Sequence, residues 1–413
     1  MTAFNLTKDQ QAAYEAFVGF LMDPAESVFV LAGYAGTGKS TLVNRLLTDL
    51  PATLQTAKLL TNDDVDWTVA LTATTNKAAD ALRQITGQEV KTIQSLLNLR
   101  VKTNYKTKET SLIQSRSTPI RNYIIFIDEA SYIDIELLQY IESSTQDCKI
   151  IFIGDPAQLA PIKSSATPVF SSGYTQASLT EIVRQAEGNP IIDLATAFRN
   201  TVNGQPWEQC FPDGQHIVHL PRQEFNQEIL GEFTRPKWKH DDSKVLAWTN
   251  KTVIEFNKAI NESVQGVPEL QVGDTAVCNS FLKFKTGSVK TDETVTITRK
   301  SKAIEHDTEG WMVVLNTHYT VFLPVSLEAK KARLKQARKD EKWQIVADIS
   351  DNWADLRAAY ACTINKSQGS TYDKVFIDLD DLKKCNSANN LARLMYVAVS
   401  RARNQIFLTG DLA

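Results

Sequence analysis

Gly33-Tyr-Ala-Gly-Thr-Gly-Lys-Ser40 decides the fold, because it matches the phosphate-loop pattern G-x-x-x-x-G-K-[ST]. The apolar run Val28-Phe-Val-Leu31 precedes this loop, and the helical pattern Thr41-Leu-Val-Asn-Arg-Leu-Leu47 follows it. The loop needs this context, since its glycines let backbone N–H groups turn towards phosphate oxygens at the start of a helix. The sequence therefore predicts a nucleotide site in an α/β domain.

Individual residues of this loop have separate roles at a phosphate group. Lys39 is predicted to reach the β and γ phosphates of ATP, and the Ser40 hydroxyl to ligate Mg²⁺. The alternative is a glycine-rich turn that arose by chance, but average glycine usage makes such a match rare and the flanking elements make it rarer. The ATP-binding residues predicted here are Gly33, Gly36, Thr37, Gly38, Lys39, Ser40 and Thr41.

A carboxylate centre is predicted in Tyr123-Ile-Ile-Phe-Ile-Asp-Glu-Ala-Ser131, where an apolar strand ends in two acidic residues. Asp128 is placed to hold Mg²⁺ through water, so Ser40 and Asp128 form the predicted metal site for Mg²⁺ that arrives with ATP. Glu129 is the predicted general base for the water that attacks the γ-phosphate. The alternative is an acidic pair that only caps the next helix, and the phosphate loop upstream disfavours it.

Apolar runs of strand length recur in both halves of the chain. Helical patterns separate them, which is typical of parallel strands buried on both faces. The runs are Val28–Leu31, Val69–Thr72, Ile124–Ile127 and Ile150–Ile153 in the first half, and Val245–Trp248, Val375–Asp378 and Gln405–Leu408 in the second. This pattern predicts two α/β domains.

Three segments depart from this alternation. Short alternating stretches between Leu270 and Asn316 predict a small β-barrel insertion. The polar segment Asn98–Asn122 predicts a protruding hairpin or loop. The segment Leu327–Trp343 is rich in helix formers and positive charge, which favours a solvated structural helix over one that contacts DNA.

Composition narrows the possible functions. The 413 residues carry a net charge of −3 and a sequence pI near 6.0, so any nucleic-acid contact has to come from a local groove. Five scattered cysteines without a Cys-x-x-Cys pair fit a reducing compartment, and the sequence predicts neither a leader nor a membrane-spanning stretch. His216 and His219 have no matching ligands nearby in sequence, so no separate metal site is predicted. A cytoplasmic protein is expected.

The remaining motifs resemble, in order and over nearly the whole chain, the motif set of superfamily 1 DNA helicases. The similarity is strongest to the RecD-like branch, which includes a phage helicase. Ile153-Gly-Asp-Pro-Ala-Gln-Leu-Ala-Pro-Ile162 is the most discriminating stretch, because it is similar to motif III and directly follows a strand. The other matching stretches are Leu6–Tyr14 (Q motif), Thr72–Ala79 (Ia), Thr92–Leu97 (Ib), Leu179–Arg184 (IV), Ala247–Asn250, Thr363–Gly369 (V) and Tyr396–Arg403 (VI).

This resemblance adds residues to the predicted ATP site. Gln10 is assigned to the adenine base, Gln158 links the γ-phosphate to bound DNA, and Gly369 joins the ATP-binding set. Arg184 and Arg401 are assigned to the γ-phosphate, with Arg401 as the arginine finger, because a guanidinium stabilises charge on the transferring phosphoryl oxygens. The implied catalytic set is Lys39, Asp128, Glu129, Gln158, Arg184 and Arg401.

The resemblance also implies a track for single-stranded DNA. Hydroxyl, amide and cationic groups would hold the phosphates without base specificity, and Trp248 is a candidate for base stacking. The implied DNA-binding residues are Thr74, Thr75, Asn76, Lys77, Thr92, Trp248, Asn250, Thr363, Asn365, Lys366 and Ser367. The chain departs from the family in two of these segments: motif Ia usually has proline at or beside Thr74, and motif V often has histidine at Asn365.

The implied architecture is two RecA-like parallel-sheet domains, with a β-hairpin or loop insertion in the first and an SH3-like β-barrel insertion in the second. The first insertion takes the place of the family's strand-separating pin, with Tyr105 as a candidate wedge residue. The predicted boundaries are 1–97 and 123–235 for domain 1A, 98–122 for the pin-like insertion 1B, 236–269 and 352–413 for domain 2A, and 270–351 for the insertion 2B. Family members bind ATP in a cleft whose closing and opening drives stepping. Movement from 5′ to 3′ is implied by the resemblance alone.

ATP and Mg²⁺ are the implied cofactors, and single-stranded and forked DNA are the implied partners. A single-strand-binding protein and replication, recombination or repair proteins are further candidates, for a monomer that would act in the host cytoplasm if a phage encodes it. Two alternatives stay open: an RNA helicase or a translocase that does not open duplexes, and a P-loop ATPase that remodels protein complexes. The intact catalytic set argues against a vestigial ATP site.

Overall fold

The computed structural model describes residues 6–61, 65–107, 110–115, 118–161, 167–183, 188–207 and 212–412. These fall into two compact units, one of residues 1–100 and 112–208 and the other of residues 101–111 and 209–413. Every helix within the described ranges is too short or too polar to cross a membrane.

The first unit is built around a parallel sheet. Its elements are α1 (Lys8–Met22), β1 (Val28–Gly33), α2 (Lys39–Thr61), β2 (Thr68–Ala73), α3 (Asn76–Thr86), β3 (Val90–Thr92), α4 (Ile93–Leu96), β4 (Leu99–Thr103), β5 (Thr110–Gln114), β6 (Ile120–Arg121), β7 (Tyr123–Asp128), α5 (Ile135–Ser144), β8 (Thr145–Gln146), β9 (Lys149–Gly154), α6 (Pro168–Ser171), β10 (Thr175–Leu179) and α7 (Pro190–Val202). The main sheet has the order β10-β1-β9-β7-β2-β3, and all its pairings are parallel. The four runs predicted as strands in this half are β1, β2, β7 and β9, so that prediction is confirmed.

Each face of this sheet has its own apolar core, because successive strand residues point to opposite sides. In β1, Phe29 and Leu31 pack into the core that contains α1 and α2, while Val30 and Ala32 pack into the core that contains α5. Burial on both faces explains the uninterrupted apolar runs. It also holds the carboxyl ends of β1 and β7 rigidly, and those ends carry the phosphate loop and the acidic pair.

A buried lysine joins the start of β9 to the end of α1. Lys149 is 6% exposed, and its Nζ donates hydrogen bonds to the backbone carbonyls of Phe20, Asp23 and Glu26. These carbonyls lie at the helix end and just beyond it, where backbone acceptors lack partners within the helix. Lys149 therefore stabilises the packing of α1, the helix that also contacts the phosphate loop.

We expect Lys149→Met to lower the free energy of unfolding by about 3 kcal/mol, because a side chain of similar length would leave three carbonyls without their donor. Urea unfolding followed by circular dichroism measures this loss. Lys91→Met, at an exposed lysine of the same unit, is the matched control. A loss below about 0.5 kcal/mol, the usual range of surface substitutions, would contradict the structural role.

The second unit contains a parallel sheet and an antiparallel one. Its elements are β11 (Ile217–His219), α8 (Arg222–Phe233), β12 (Ser243–Ala247), α9 (Asn250–Gln265), β13 (Thr275–Cys278), β14 (Leu282–Phe284), β15 (Gly287–Val289), β16 (Thr294–Glu305), β17 (Thr308–Leu315), β18 (Tyr319–Pro324), α10 (Leu327–Lys339), α11 (Trp343–Asn352), β19 (Leu356–Ala358), β20 (Ala361–Thr363), α12 (Ile364–Ser367), β21 (Tyr372–Asp378), α13 (Leu379–Leu382), α14 (Ala388–Val399) and β22 (Ala402–Thr409). The parallel sheet has the order β11-β22-β21-β12-β20. The runs predicted as late strands are β12, β21 and β22, which confirms the second α/β domain.

The division between the two compact units falls before residue 235, the predicted end of domain 1A. Strand β11 pairs in parallel with β22, with Ile217 opposite Ile406, and the second unit begins at Gln209. The three residues of β11 are too few to show a periodic pattern, so no sequence signal assigns this segment to the second sheet.

The antiparallel sheet occupies the predicted insertion 2B and has the order β18-β17-β16-β13-β19. Its edge strand β19 pairs with β13 and lies beyond residue 351, so the insertion ends later than predicted. Among the described residues, β18 and β19 share no ladder that would close the sheet into a barrel. The observed insertion is therefore an antiparallel sheet with the β14–β15 hairpin and two helices.

The basic helix predicted over Leu327–Trp343 divides in two. It ends at Lys339 because Glu341 adopts a left-handed conformation with φ 55°, and α11 begins at Trp343. Two of its cationic residues stabilise the fold through hydrogen bonds. Lys330 Nζ donates to the Trp353 carbonyl at 2.7 Å, and Arg333 Nε donates to the His306 carbonyl. Lys330 and Arg333 therefore hold this helix to other parts of the second unit.

The predicted pin segment contains a β-hairpin made by β4 and β5. Its tip, residues 101–111, groups with the second unit. The Tyr105 hydroxyl donates to the Asp351 carboxylate, whose oxygens lie at 2.7 and 2.8 Å, and the pKa of Tyr105 rises to about 12 through burial and this neighbouring charge. The candidate wedge is thus anchored through its hydroxyl to α11.

Candidate nucleotide and nucleic-acid site

The phosphate loop folds back on its own carbonyls. Lys39 Nζ donates to the carbonyl oxygens of Gly33 at 2.6 Å and Tyr34 at 2.9 Å, and the Thr37 hydroxyl donates to the same Tyr34 oxygen at 2.9 Å. Both lysine contacts are charge-assisted bonds that phosphate oxygens can replace. The loop therefore holds Lys39 beside the place where the strand-to-helix context predicts a polyphosphate.

Gln10 ties α1 to this loop. Its Nε2 donates to the Thr37 carbonyl at 3.1 Å, and its Oε1 accepts from the Thr7 N–H at 3.1 Å in the capping box of α1. Gly38 has φ 78°, a conformation that favours glycine, and a Cβ there would lie 2.4 Å from Gln10 Nε2, so the Gln10 amide would have to move. In this conformation the Gln10 amide supports the loop, and its contact with adenine stays a prediction.

The acidic pair lies at the end of β7. Glu129 has the left-handed conformation φ 55°, ψ 45°, and its N–H donates to Asp128 Oδ1 at 2.9 Å. Burial raises the pKa of Asp128, while this hydrogen bond and the positive charge of Lys39 oppose the rise. The structure thus brings Lys39 close enough to act on Asp128, and a buried carboxylate of this kind suits a cation that offsets its burial.

Thr74 connects the acidic pair to the predicted DNA track. Its N–H donates to the Asp128 carbonyl at 3.2 Å, and its hydroxyl donates to the Glu129 carbonyl at 3.0 Å. Gln94 Nε2 donates in turn to the Thr74 carbonyl at 3.4 Å. Thr74 is only 8% exposed, so its side chain supports the catalytic turn, and its contact with DNA stays a prediction.

The other track residues of this unit lie at helix starts. The Thr75 hydroxyl caps α3 by accepting from the Ala78 N–H, and the Thr92 hydroxyl caps α4 by accepting from the Ser95 N–H. Asn76 and Lys77 form the first turn of α3. Backbone N–H groups at helix starts favour anions, which suits phosphate contacts.

Motif III packs against the acidic turn. A Cβ on Gly154 would lie 3.0 Å from the Ala130 nitrogen, so the close approach requires glycine. Asp155 is fully buried and accepts from the Ala157 N–H, while Gln158 is 5% exposed and directs its Nε2 to Asp155 Oδ2 at 3.5 Å. Gln158 therefore lies on the segment packed next to the residue that follows Glu129.

Arg184 lies outside the described residues. The segment before it is held by Asp9, whose Oδ2 accepts from the Thr180 N–H at 2.8 Å, the Thr180 hydroxyl at 2.7 Å and the Glu181 N–H at 3.0 Å. These bonds hold the pKa of Asp9 below its usual value. Sequence reasoning missed Asp9 and Gln94, because each acts on a segment distant in the chain.

Arg401 is a buried arginine of the second unit. Its Nε, Nη1 and Nη2 donate to the Val397 carbonyl at 3.0 Å, the Ser370 carbonyl at 3.2 Å and the Ser400 hydroxyl at 2.8 Å. The residue is 5% exposed. It holds the end of α14 against the loop after motif V, so an arginine finger would have to exchange one of these partners for a phosphate oxygen.

We expect Arg401→Ala to lose ATP hydrolysis and also to lower the free energy of unfolding by about 2 kcal/mol, because buried acceptors would lose their donor. Arg401→Lys keeps the charge but not the three-way contact, and should lose hydrolysis with a smaller cost in stability. Steady-state ATPase and thermal melting separate the effects. Full ATPase activity in a folded Arg401→Lys protein would remove this residue from the catalytic set.

Asp381 organises the Ala247–Asn250 segment. Its carboxylate accepts from the backbone N–H groups of Trp248 and Thr249, both at 2.7 Å, and from the hydroxyls of Thr249 and Thr252. Burial raises the pKa of Asp381, but these bonds and Lys384 bring it below the usual value overall. Asn250 is exposed, and its Oδ1 accepts from Arg357 at 2.7 Å. No sequence motif marked Asp381, which acts across more than 100 residues of chain.

Motif V forms a short helix, α12, capped by the Thr363 hydroxyl. Lys366 Nζ lies 2.6 Å from Asp292 Oδ1, so a DNA phosphate would compete with that carboxylate. Ser367 is fully buried and donates to the Ile364 carbonyl, which makes it a packing residue in this conformation. Gly369 follows with φ 74°, and Asn365 is partly exposed. The roles of these residues towards ATP and DNA stay predictions.

One further group of potential metal ligands lies in the second unit. His306 Nε2 is 2.6 Å from Asp348 Oδ2, and the Trp353 indole donates to Glu305 Oε1 at 2.9 Å. These contacts give Glu305 and His306 a structural role, because they hold the β16–β17 turn against α11 and the residue that follows it. His216 and His219 point to different partners, Asp213 and the Gly410 carbonyl.

Comparisons with known proteins agree with this geometry. Residues 5–208 match the AAA domain family, and residues 358–409 match the UvrD-like helicase C-terminal domain family. The ATP-dependent DNA helicase dda of Enterobacteria phage T4 is 24% identical, over 98% of this chain and 100% of that protein. A solved structure of two coordinating Pif1 helicases at forked double-stranded DNA covers 99% of this chain and 93% of its own, with 18% identity and a TM-score of 0.53. Pif1 helicase from Bacteroides in complex with ADP-AlF3 and single-stranded DNA gives 17% identity over 99% and 93%, with a TM-score of 0.50.

The fold and the phosphate loop define an ATP-binding P-loop protein with two RecA-like parallel sheets. The two family matches together span more than half of the chain, and the second is to a helicase domain. The chain belongs to the superfamily 1 helicases, in the branch that contains RecD and Dda.

Proposed function

We propose that this protein is an ATP-dependent DNA helicase that moves from 5′ to 3′ along single-stranded DNA and opens duplex DNA. The observation that carries this proposal is the double contact of Thr74 with the Asp128–Glu129 backbone. Thr74 directly precedes Thr75, Asn76 and Lys77, the first residues of the expected DNA track. A DNA strand bound at that track would therefore act through Thr74 on the turn that contains Asp128 and Glu129.

This contact gives a physical route from DNA binding to ATP hydrolysis. Glu129 has a left-handed backbone that its neighbours must hold in place, and Thr74 supplies one of the hydrogen bonds that hold it. A shift of the segment around Thr75 would change the position of the Glu129 carboxylate. We infer that DNA stimulates hydrolysis by fixing this carboxylate where it can accept a proton from the attacking water.

The chain's own residues divide the remaining chemistry. Lys39 exchanges its carbonyl partners for phosphate oxygens, Glu129 accepts the proton of the attacking water, and Gln158 senses the γ-phosphate. Ser40 as a ligand, and Asp128 through water, would hold Mg²⁺, which would neutralise phosphate charge when bound. Arg184 and Arg401 are proposed to stabilise the charge of the transferring phosphoryl group.

The proposed DNA partner is a single strand that continues into a fork. Support comes from the relatives' described ligands and from the start of α3 at Thr75, where backbone N–H groups favour anions such as phosphates. The open antiparallel sheet of the second unit is proposed to correspond to the branch's SH3-like insertion. Replication, recombination and repair are the candidate processes, with a monomer as the working form.

The test is steady-state ATPase activity without nucleic acid, with single-stranded DNA and with matched RNA. Strong stimulation by DNA alone supports the proposal, and unwinding of duplexes with 5′ or 3′ tails then measures polarity. Equal stimulation by RNA would favour an RNA helicase or a translocase. ATPase activity that no nucleic acid stimulates would favour an ATPase that remodels protein complexes.

A further inference from the structure

Tyr34 carries a contact that neither the phosphate-loop pattern nor the helicase motifs assign. The guanidinium carbon of Arg199 lies 4.2 Å from the centroid of the Tyr34 ring, and Asn203 Nδ2 donates to the Tyr34 hydroxyl at 3.2 Å. Arg199 and Asn203 are one turn apart at the end of α7. The second residue of the loop is thus the platform for a cation.

The backbone of Tyr34 is the centre of the loop's own hydrogen bonds. Its carbonyl accepts from Lys39 Nζ at 2.9 Å, from the Thr37 hydroxyl at 2.9 Å and from the Thr37 N–H at 3.3 Å. The side chain stacked under Arg199 therefore belongs to the residue that holds Lys39. Arg199 therefore lies next to the phosphate loop.

The Arg199 guanidinium can donate further hydrogen bonds. Within the parts of the chain that the structure describes, its side chain makes the stacking contact and donates no hydrogen bond to a protein acceptor. A guanidinium held over an aromatic ring can still donate N–H groups, which bind phosphate oxygens bidentately. Stacking also fixes the orientation of the group in advance.

The end of α7 is held firmly enough to position this group. Phe198, next to Arg199, is 3% exposed, and its ring packs edge-on against Trp207 at 5.2 Å between centroids. The Asn203 N–H closes the last turn by donating to the Arg199 carbonyl at 3.1 Å. The backbone that carries Arg199 is therefore fixed on both sides.

We propose that Arg199 is a further nucleotide-binding residue, which is presented by Tyr34 and donates to the polyphosphate of bound ATP or ADP. The inference rests on the ATP site of the proposed function and does not depend on DNA. It adds a cation from α7 to the lysine of the loop. Because it acts on bound phosphate before the reaction as well as during it, its main effect falls on affinity.

The test is the dissociation constant of ATP, ADP and adenosine without DNA, measured by competition with a fluorescent ADP analogue. Arg199→Met should weaken ATP and ADP binding about 10-fold, raise the KM for ATP similarly and leave kcat within about 2-fold. Adenosine, which has no phosphate, should bind as it does to the wild type. Arg199→Lys should give an intermediate loss, because it keeps the charge without the planar fork.

A double-mutant cycle tests the platform. Tyr34→Leu removes the ring but leaves the backbone contacts, and we expect it to weaken ADP binding, with no additional loss when it is combined with Arg199→Met. Arg45→Met, which removes an arginine paired with Asp49 in the same unit, is the control for the loss of one positive charge. Thermal melting checks that each variant is folded.

Three outcomes would overturn this assignment. ADP affinity unchanged in a folded Arg199→Met protein would make the arginine a packing residue of α7. Equal losses for adenosine and ADP would mean that the substitution acts through the shape of the site, and strictly additive losses in the cycle would separate Arg199 from Tyr34. Failure of the wild type to bind any nucleotide would instead refute the proposed function itself.

Discussion

Lys39→Ala is expected to lower ATP turnover by about 100-fold or more, because a cation aimed at the phosphates is removed from a site where fixed charges matter most. The substitution also removes the donor to the Gly33 and Tyr34 carbonyls, so the loop loses two of its internal hydrogen bonds. A further effect follows at Asp128, whose pKa burial raises and the Lys39 charge lowers. Without the lysine this pKa rises further. As the pH is lowered, the residual activity of the variant should therefore be lost at a higher pH than the activity of the wild type.

The measurement is a pH series of steady-state ATPase activity, with thermal melting as the check on folding. Lys91→Ala, at a lysine that is 55% exposed in the same unit, is the matched control and should retain turnover. Turnover of the Lys39→Ala protein within about 3-fold of the wild type would contradict the site. So small an effect is far below what the loss of one transition-state charge contact produces.

Glu129→Gln is expected to keep nucleotide binding and to slow hydrolysis by between about 100- and 10,000-fold, because only the general base is removed. Glutamine has the same shape, and the contacts that hold this residue come from its backbone: its N–H donates to Asp128 and its carbonyl accepts from Thr74. The left-handed conformation should therefore persist. The expected result is a protein that binds ATP and DNA but does not turn over.

Nucleotide affinity by fluorescence and single-turnover hydrolysis measure the two halves of this prediction. Glu89→Gln, at a carboxylate that is 76% exposed in the same unit, controls for the loss of one negative charge. If Glu129→Gln hydrolysed ATP at the wild-type rate, the general base would have to be another residue. If it lost ATP affinity as well, Glu129 would be a binding residue.

Much of the nucleotide site could be predicted from sequence because it is local. The phosphate loop is eight consecutive residues, and the acidic pair follows a strand whose burial on both faces leaves an apolar run. The residues that support the site act over long distances in the chain. Thr74 and Glu129 are 55 residues apart, and Asp381 and Thr249 are 132 apart, each joined by a hydrogen bond between a side chain and a backbone group.

The errors in the fold prediction have physical causes as well. The pairing of β11 with the second sheet could not be predicted, because β11 has only three residues and obtains its place from pairing with β22. The helix predicted from Leu327 to Trp343 contains no glycine or proline that would mark its end. It ends at Lys339 because Glu341 adopts a left-handed conformation. Arg199 was not singled out because an arginine near a helix end is ordinary in sequence, and only the ring beneath it distinguishes it.

The contact between Gln10 and the phosphate loop has a practical consequence for protein engineering. The capping box of α1 fixes Gln10, and Gln10 in turn fills the space above Gly38, so the amino-terminal helix is a working part of the ATP site. A truncation that removes Thr7, or a fusion that disturbs the start of this helix, should weaken nucleotide affinity although every phosphate-binding residue is intact.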